Sequence, residues 1–372
     1  MKLQVLQENL TKALSITTRF TNIRAQLPVL GNVLISAQKN KLLISATNLE
    51  NSVSLTIGAK VEKEGEITIP AKTFNDTIVN LNPGTVNLQS EKEKLTLSTS
   101  NFNSTLAGMN PSDFPSVPQT VGKSTLVLSK KKILEALNCV LFAVSSDETR
   151  PVLTGVLFIL KGKELVVVAT DGFRLSQKKI RINFSAKELS FILPKNILSE
   201  LLRLVGESEE INLSYKESES QVVFGIDNLI LASRTIEGEF PDFNKIIPHE
   251  FKIKLSLDRE EFLQAVKLAS VFARDSANVI KMIIKNDSLK VFAESSQVGK
   301  QETKLDAKIE GISEKDKGLT IAFNFRFLED LLNALKSEDV YIELNDANSP
   351  GVFTDPKDPD FLHLIMPVRL QG

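Results

Sequence analysis

The 372-residue chain holds two histidines, His249 and His363, far apart in sequence, and one cysteine, Cys139. A Cys/His metal cluster or a Cys-His nucleophile pair needs more such groups, or closer ones, so neither chemistry is indicated. Cys139 stands beside Val140 and Leu141 on an apolar helical stretch, where a small buried hydrophobe is the expected role. His249 follows Pro248 in a linker-like stretch and is expected to be solvated, and His363, in an apolar terminal strand, to be a satisfied structural histidine. Gly122, Lys123, Ser124 and Thr125 resemble the end of a phosphate-cradling loop. The first glycine of such a loop would fall at Val117, and the stretch passes from a proline-rich linker into a strand-like run rather than a helix. GxGxxG, GxSxG and HExxH motifs are absent from the sequence. With no metal, cofactor or catalytic constellation signalled, the chain reads as a binding protein.

Charge narrows what it could bind. Lys plus Arg (45) nearly cancels Asp plus Glu (46), so the total of -1 gives no bulk attraction to nucleic acid or anionic lipid, and any basic surface must be local. The predicted helical segments carry a small positive excess and the remainder a matching negative one. Lys130, Lys131 and Lys132 follow Ser129, a candidate N-cap, at a helix end whose dipole disfavours each cation by about 0.3 to 1 kcal/mol. No aromatic residues interleave with the basic ones and there is no Trp, so phosphate contact with a duplex fits better than base stacking. At 42% hydrophobic and 24% charged, the composition excludes disorder and fibrous classes. The N-terminal residues lack the apolar run of a signal peptide, and the longest apolar stretch, at 151–160, is far short of the ~18 residues of a membrane span, so the expected location is the cytoplasm.

The elements that must position any surface form a threefold repeat. Val5, Leu10, Ala13 and Leu14 recur after 123 residues as Leu128, Ile133, Ala136 and Leu137, then after 129 more as Leu257, Phe262, Ala265 and Val266. Each set is a short strand followed by apolar residues at helical spacing. The shift of 123 also carries Ala46, Thr47, Asn48 onto Ala169, Thr170, Asp171, and Pro28, Val29, Leu30 onto Pro151, Val152, Leu153. Ile69-Pro70 matches Leu193-Pro194 at a shift of 124, then Phe323-Asn324 at a further 130, each opening a second helix. Proline-rich punctuation at Pro111, Pro115 and Pro118, and at Pro241 and Pro248, marks the ends of units. The fold class is therefore α+β, with three similar domains expected at 1–121, 122–249 and 250–372.

Five segments resemble one family, the bacterial DNA polymerase III beta subunit or beta sliding clamp, across the whole chain. They are LPVLGN (27–32), TRPVLTGVLF (149–158), TDGFRL (170–175), FPDFNKIIP (240–248) and LIMPVRL (364–370). The resemblance implies the DNA clamp fold, a head-to-tail homodimer closed as a ring, helices lining the bore and sheets outside. Size arithmetic agrees. A domain of this length has a diameter of about 35 Å; six in a ring leave a hole of about 35 Å, against about 5 Å for three. A duplex, roughly 20 Å across, passes the larger hole loosely.

The resemblance further implies a noncatalytic processivity factor that encircles double-stranded DNA without reading sequence and tethers the DNA polymerase III alpha subunit. The clamp loader, other polymerases, ligase and mismatch-repair proteins are the other implied partners, docking through short peptides with apolar and aromatic anchors. Residues carried over for duplex contact are Arg24 and Arg150, with Lys12, Lys195 and Arg203 added from helix position. The partner pocket carries over to Leu153, Thr170, Gly172, Phe173, Arg174 and Leu175, to Pro241, Lys245 and Ile246, and to Leu364, Ile365, Met366, Pro367, Val368, Arg369 and Leu370. Apolar walls with an Arg at the rim are expected there. Phe102 of one copy is expected to face Val271 and Phe272 of the other. The chain departs from the family pattern in having Phe173 where many relatives have His, Lys245 where some have Arg, and Gln371-Gly372 at the end. Two other readings compete: an ATP-using enzyme resting on Gly122, Lys123 and Ser124, and a repeat scaffold that never touches DNA.

Overall fold

The helices fall where the repetition puts them. A computed structural model describes residues 1–122, 125–204, 208–285, 288–312 and 318–369, with the backbone alone over 183–187. Its α-helices are α1 (Gln7–Thr17), α2 (Ala71–Val79), α3 (Lys130–Val140), α4 (Lys195–Arg203), α5 (Arg259–Ala273) and α6 (Phe325–Ala334). They start at 7, 130 and 259 and at 71, 195 and 325, which are the shifts of 123, 129, 124 and 130 read from the sequence. The apolar landmarks from Val5 to Val266 that defined the repeat are each at most 3% exposed, so the periodicity marks core faces. In the third copy, Asp258 caps α5 by accepting from the Glu261 N–H at 2.8 Å. Asn324 caps α6 by accepting from the Arg326 N–H at 3.0 Å. Each supplies an oxygen to an otherwise unpaired first-turn donor.

The described strands form four sheets. One, of five strands in the order Lys60–Lys63, Lys2–Leu6, Thr85–Glu91, Lys94–Ser98, Asn103–Ala107, lies within the first copy. Another, of four strands in the order Gly299–Asp306, Ser288–Ser295, Val279–Lys285, Leu319–Asn324, lies within the third. The other two cross copies. An eight-stranded sheet joins Asn51–Gly58 of the first copy to Leu229–Arg234 of the second, and a seven-stranded sheet joins Arg174–Pro194 of the second to Asp358–Ile365 of the third. Both joins are antiparallel edge pairings, so main-chain hydrogen bonds weld successive copies.

Each copy also closes on itself in the same way. Three residues before α2, α4 and α6, at Thr68, Ile192 and Ala322, a carbonyl accepts from the N–H of Met109, Ile236 and Val368 respectively, at 3.0, 2.9 and 2.8 Å. In the first two copies the returning segment runs on into the next copy; in the third it is the tail that ends the described chain.

Because the sheets cross copies, compactness divides the chain differently from repetition. One unit is Met1–Lys130 with Leu204–Thr235; the other is Lys131–Arg203 with Ile236–Gly372. The second copy contributes strands to both. Among the described residues no helix is long and apolar enough to cross a membrane.

Candidate functional site

The residues carried over as a partner pocket gather at the junction where Arg174–Pro194 meets Asp358–Ile365. A tight turn opens that junction. The Thr170 hydroxyl donates to the Arg174 carbonyl at 2.6 Å and accepts from the Gly172 N–H at 3.1 Å. Asp171 Oδ1 accepts from the N–H groups of Phe173 and Arg174 at 2.9 and 3.0 Å. Gly172 sits at φ +92°, where a side chain is strained, and a Cβ there would lie 3.1 Å from Arg150 Nη1. Arg150 lies on this turn: its Nη2 donates to the Asp171 carbonyl at 3.3 Å and its Nε is 3.5 Å from Asp147.

Beyond the turn, strand alternation sorts the candidates onto two faces. Leu175 is paired directly with Leu364, and both are fully buried in a cluster with Phe243, Val352, Leu157, Val168 and Ile192. Val152, Phe240, Ile247 and Leu362 pack against this floor. At its edge Phe173 (60% exposed) and Met366 (38%) are neighbours, because the Met366 N–H donates to the Phe173 carbonyl at 2.8 Å. Ile246 is 44% exposed, and Lys245, more exposed still, pairs with Asp242 at 3.1 Å. Pro241 and Arg369 are exposed, Pro367 and Val368 half-buried, and Leu153 and Thr170 buried. Exposed apolar groups over a filled apolar floor, with a cation beside them, are what a peptide anchor site requires. Leu370 lies outside the described residues.

Two candidates point the other way. Ile365 belongs to the core of the third copy. Arg174 is not at a rim, as expected from sequence, but turned inward with its side chain about 10% exposed. Its guanidinium donates to Asp171 Oδ2 at 3.0 Å, Asp330 Oδ2 at 2.6 Å and the Phe142 carbonyl at 2.6 Å, and lies 4.5 Å from the centre of the Phe327 ring. A buried cation must be paired and hydrogen-bonded, and Arg174 meets that need by clamping the turn from beneath. On the same face Ser176 is paired with His363, the two side chains 2.5 Å apart. Burial, with the Arg174 charge nearby, pushes the His363 ring down to about 3, so it is neutral; its Nε2 is buried without a hydrogen-bond partner among the described residues, so the histidine is structural but not, as expected from sequence, satisfied. Cys139 packs against the third-copy core, and burial pushes its thiol up to about 11, in keeping with an inert thiol.

The reading of sequence alone missed Phe243 and Ile247 as floor and wall, because the apolar residues of FPDFNKIIP follow no strand alternation. It also missed Leu268, which is 48% exposed on α5 three residues before Val271, itself 53% exposed; Phe272 is half-buried against the core. In the other unit, Phe102 is 36% exposed just ahead of the edge strand Asn103–Ala107. Lys12 on α1, Arg24 in a loop and Lys195 at the start of α4 are exposed and make no ion pair among the described residues. Arg203 is paired with Glu200 at 2.8 Å. Lys130 donates its N–H to the Glu209 carbonyl, and Lys131 and Lys132 are exposed. Of the phosphate-loop lookalike, Lys123 and Ser124 lie outside the described residues, and the Thr125 hydroxyl donates to the Gly122 carbonyl at 3.0 Å. No group of three His, Cys, Asp or Glu suited to a metal ion occurs among the described residues.

A chain of repeated strand-and-helix copies, welded through sheet edges and bearing exposed apolar groups at one weld, has the construction of a DNA clamp. Family models of the N-terminal, central and C-terminal domains of the DNA polymerase III beta subunit match residues 1–118, 127–242 and 244–369. The beta sliding clamp of Synechococcus elongatus is 32% identical over all of both chains, and that of Staphylococcus aureus 30% identical over 99% of each. The solved sliding clamp of Bacillus subtilis superposes with a TM-score of 0.94 at 25% identity over all of both chains. The DNA polymerase III beta chain of Streptococcus pneumoniae gives 0.93 at 27%, over 99% of this chain and all of that one. A clamp from Pseudomonas aeruginosa, similar at 0.92 and 25% over all of both chains, was solved bound to griselimycin. The chain belongs to the beta sliding clamp family, the DNA polymerase III beta subunits that act as processivity factors in replication.

Proposed function

We propose that two copies of this chain close head to tail into a ring around duplex DNA, each copy contributing three domains bounded near 121 and 249. The observation that carries this is the way copies join. Both joins within the chain are strand-edge pairings, and the four sheets still end in unpaired edge strands, among them Asn103–Ala107 in the first copy and Gly299–Asp306 in the third. Phe102 precedes one of these edges, and α5, with Leu268 and Val271 exposed, packs against the strand forming the other. Unlike edges meeting in two identical interfaces give a closed two-fold ring. Retention by threading needs little affinity per phosphate. Lys12, Arg24 and Lys195 then serve as the main phosphate contacts, with Arg150 and Arg203, whose charges are shared with Asp147 and Glu200, as weaker ones.

The apolar junction of Leu175, Leu364, Phe173 and Met366 takes short peptides of the polymerase alpha subunit and, in turn, of the clamp loader, other polymerases, ligase and mismatch-repair proteins. The ring itself does no chemistry, and it works in the cytoplasm. The test loads the protein on nicked circular DNA, raises the salt, then linearises the circle. A threaded ring survives salt and is lost on linearisation. Adhesion through phosphate contacts collapses steeply with salt in either topology, and that result would overturn the proposal.

A further inference from the structure

We propose that the four-stranded sheet of the third copy, on its face turned away from the helices, docks a segment of a partner protein that carries an aromatic anchor flanked by carboxylates. The site lies on a different sheet from the apolar junction and does not depend on it. Each copy has this face. In the first, Thr68, Leu34 and Ser45 lie side by side on adjacent strands, and Leu34 packs into a cluster with Phe114 and Val117, from the segment that follows the closing bond at Met109. In the second, Ile192 and Leu157 are paired and buried with Val168 against Phe243, from the segment that follows the closing bond at Ile236. In the third, the matching row is Ala322, Lys281 and Phe292. There Lys281, Phe292 and the neighbouring Ile283 are only half-buried, and the closing segment is described as far as Arg369, one residue past its bond at Val368. Two copies cover this face with an aromatic side chain from their own linker, while among the described residues the third presents it open.

The charges around Phe292 say what would cover it. Lys281 Nζ is 5.8 Å from the centre of the Phe292 ring, so the ring already sits beside a cation. Glu302, directly opposite Phe292, is drawn to Lys290 at 2.7 Å. In the next row Lys304 stands directly opposite Lys290 and makes no ion pair among the described residues. Like charges facing across strands destabilise a sheet, and an anion laid between them removes that cost. In the row on the other side Glu294 and Lys300 face each other and cancel. Lys281, Lys290 and Lys304 against Glu302 alone, around the apolar strip of Ile283 and Phe292, match an aromatic anchor with carboxylates beside it, whereas a basic segment would meet Lys281 and Lys304. Phe292 is two strands from Ala322, about 10 Å from the closing segment, so that segment leaves room for a second one.

The test uses the full-length protein and a labelled synthetic peptide that sets a Phe-Pro pair, as in Phe114-Pro115 and Phe240-Pro241, between aspartates. Followed by anisotropy, it should bind the parent and the junction variant Phe173→Glu with Met366→Arg equally well. Replacing the peptide's phenylalanine by alanine should weaken binding about tenfold, as should Phe292→Ala or the charge reversal Lys281→Glu with Lys304→Glu. No binding, binding lost in the junction variant, or binding indifferent to both Phe292→Ala and the charge reversal overturns the site. Tighter binding with lysines in place of the aspartates overturns its charge assignment. Binding that requires removal of residues 370–372 gives the face to the chain's own end, and a change of subunit number on sedimentation of the charge-reversed variant gives it to a second copy; either result overturns the partner segment.

Discussion

The two junctions within the chain share one backbone plan and carry opposite side-chain chemistry. At the first, the Thr47 hydroxyl donates to the Asn51 carbonyl and accepts from the Leu49 N–H, while Asn48 Oδ1 accepts from the N–H groups of Glu50 and Asn51. At the second, Thr170, Asp171, Gly172, Phe173 and Arg174 repeat every one of these bonds 123 residues on. The Arg234 N–H donates to the Glu50 carbonyl at 2.8 Å, as Met366 does to Phe173. Where the second junction has Leu175 opposite Leu364, the first has Ser52 opposite Ala232; where the second has Ser176 opposite His363, the first has Val53 opposite Leu231. The two faces of the sheet have exchanged polarity between copies. A weld needs only the main chain, so its side chains are free to differ, and one weld carries the apolar surface proposed for docking while the other is polar on the same face.

The largest test copies the exposed pair of the first junction onto the second. Phe173→Glu with Met366→Arg should weaken binding of a polymerase peptide at least about a hundredfold, measured by anisotropy, because exposed anchors at a docking site carry most of its energy. Thermal unfolding should hardly move, since surface changes of this kind stay within about 0.5 kcal/mol. Retained affinity would mean that the polarity exchange has nothing to do with docking.

The next test acts on the hidden face. Ser176→Val with His363→Leu gives the second junction the apolar pair of the first. In the parent, the folded ring stays neutral down to about pH 3, whereas the unfolded chain takes a proton below about 6.5. The stabilisation is complete above 6.5 and is lost as pH falls towards 3, amounting to about 2 kcal/mol by pH 5. Urea unfolding at pH 7 and pH 5 should show that loss in the parent and not in the double variant. An equal loss in both would remove His363 from the account.

These differences explain what could and could not be read from the sequence. Helices were legible because each is local: Leu10, Ala13 and Leu14 declare a face within two turns, and three copies confirm one another. The joins were not, because the partner of Asn51–Gly58 lies nearly 180 residues away at Leu229–Arg234, and edge pairing leaves no local mark. For the site, the segments TDGFRL and LIMPVRL located the junction but not its faces. Arg174 and Leu175 are adjacent in sequence and opposite in orientation, and only the register says which one meets a partner. The walls from Phe243 and Ile247 depended on how a linker folds back, which no periodicity encodes.

The smallest effect concerns the turn itself, where the junctions differ at one strained position. Leu49 and Gly172 are equivalent, with φ of +77° and +92°. A leucine pays about 1 to 2 kcal/mol for that conformation, while glycine adopts it freely at an entropic cost of about 0.5 to 1 kcal/mol. Leu49→Gly should therefore stabilise the protein, by up to about 1 kcal/mol. Gly172→Ala should destabilise it by about 1 kcal/mol, and because the new Cβ would press on the Arg150 guanidinium at 3.1 Å it should also loosen the peptide site. Denaturant midpoints for the two variants should move in opposite directions. Movement in the same direction would show that the turns, despite sharing each hydrogen bond, are not held under the same constraint, and the equivalence of the two junctions would fail at its most local point.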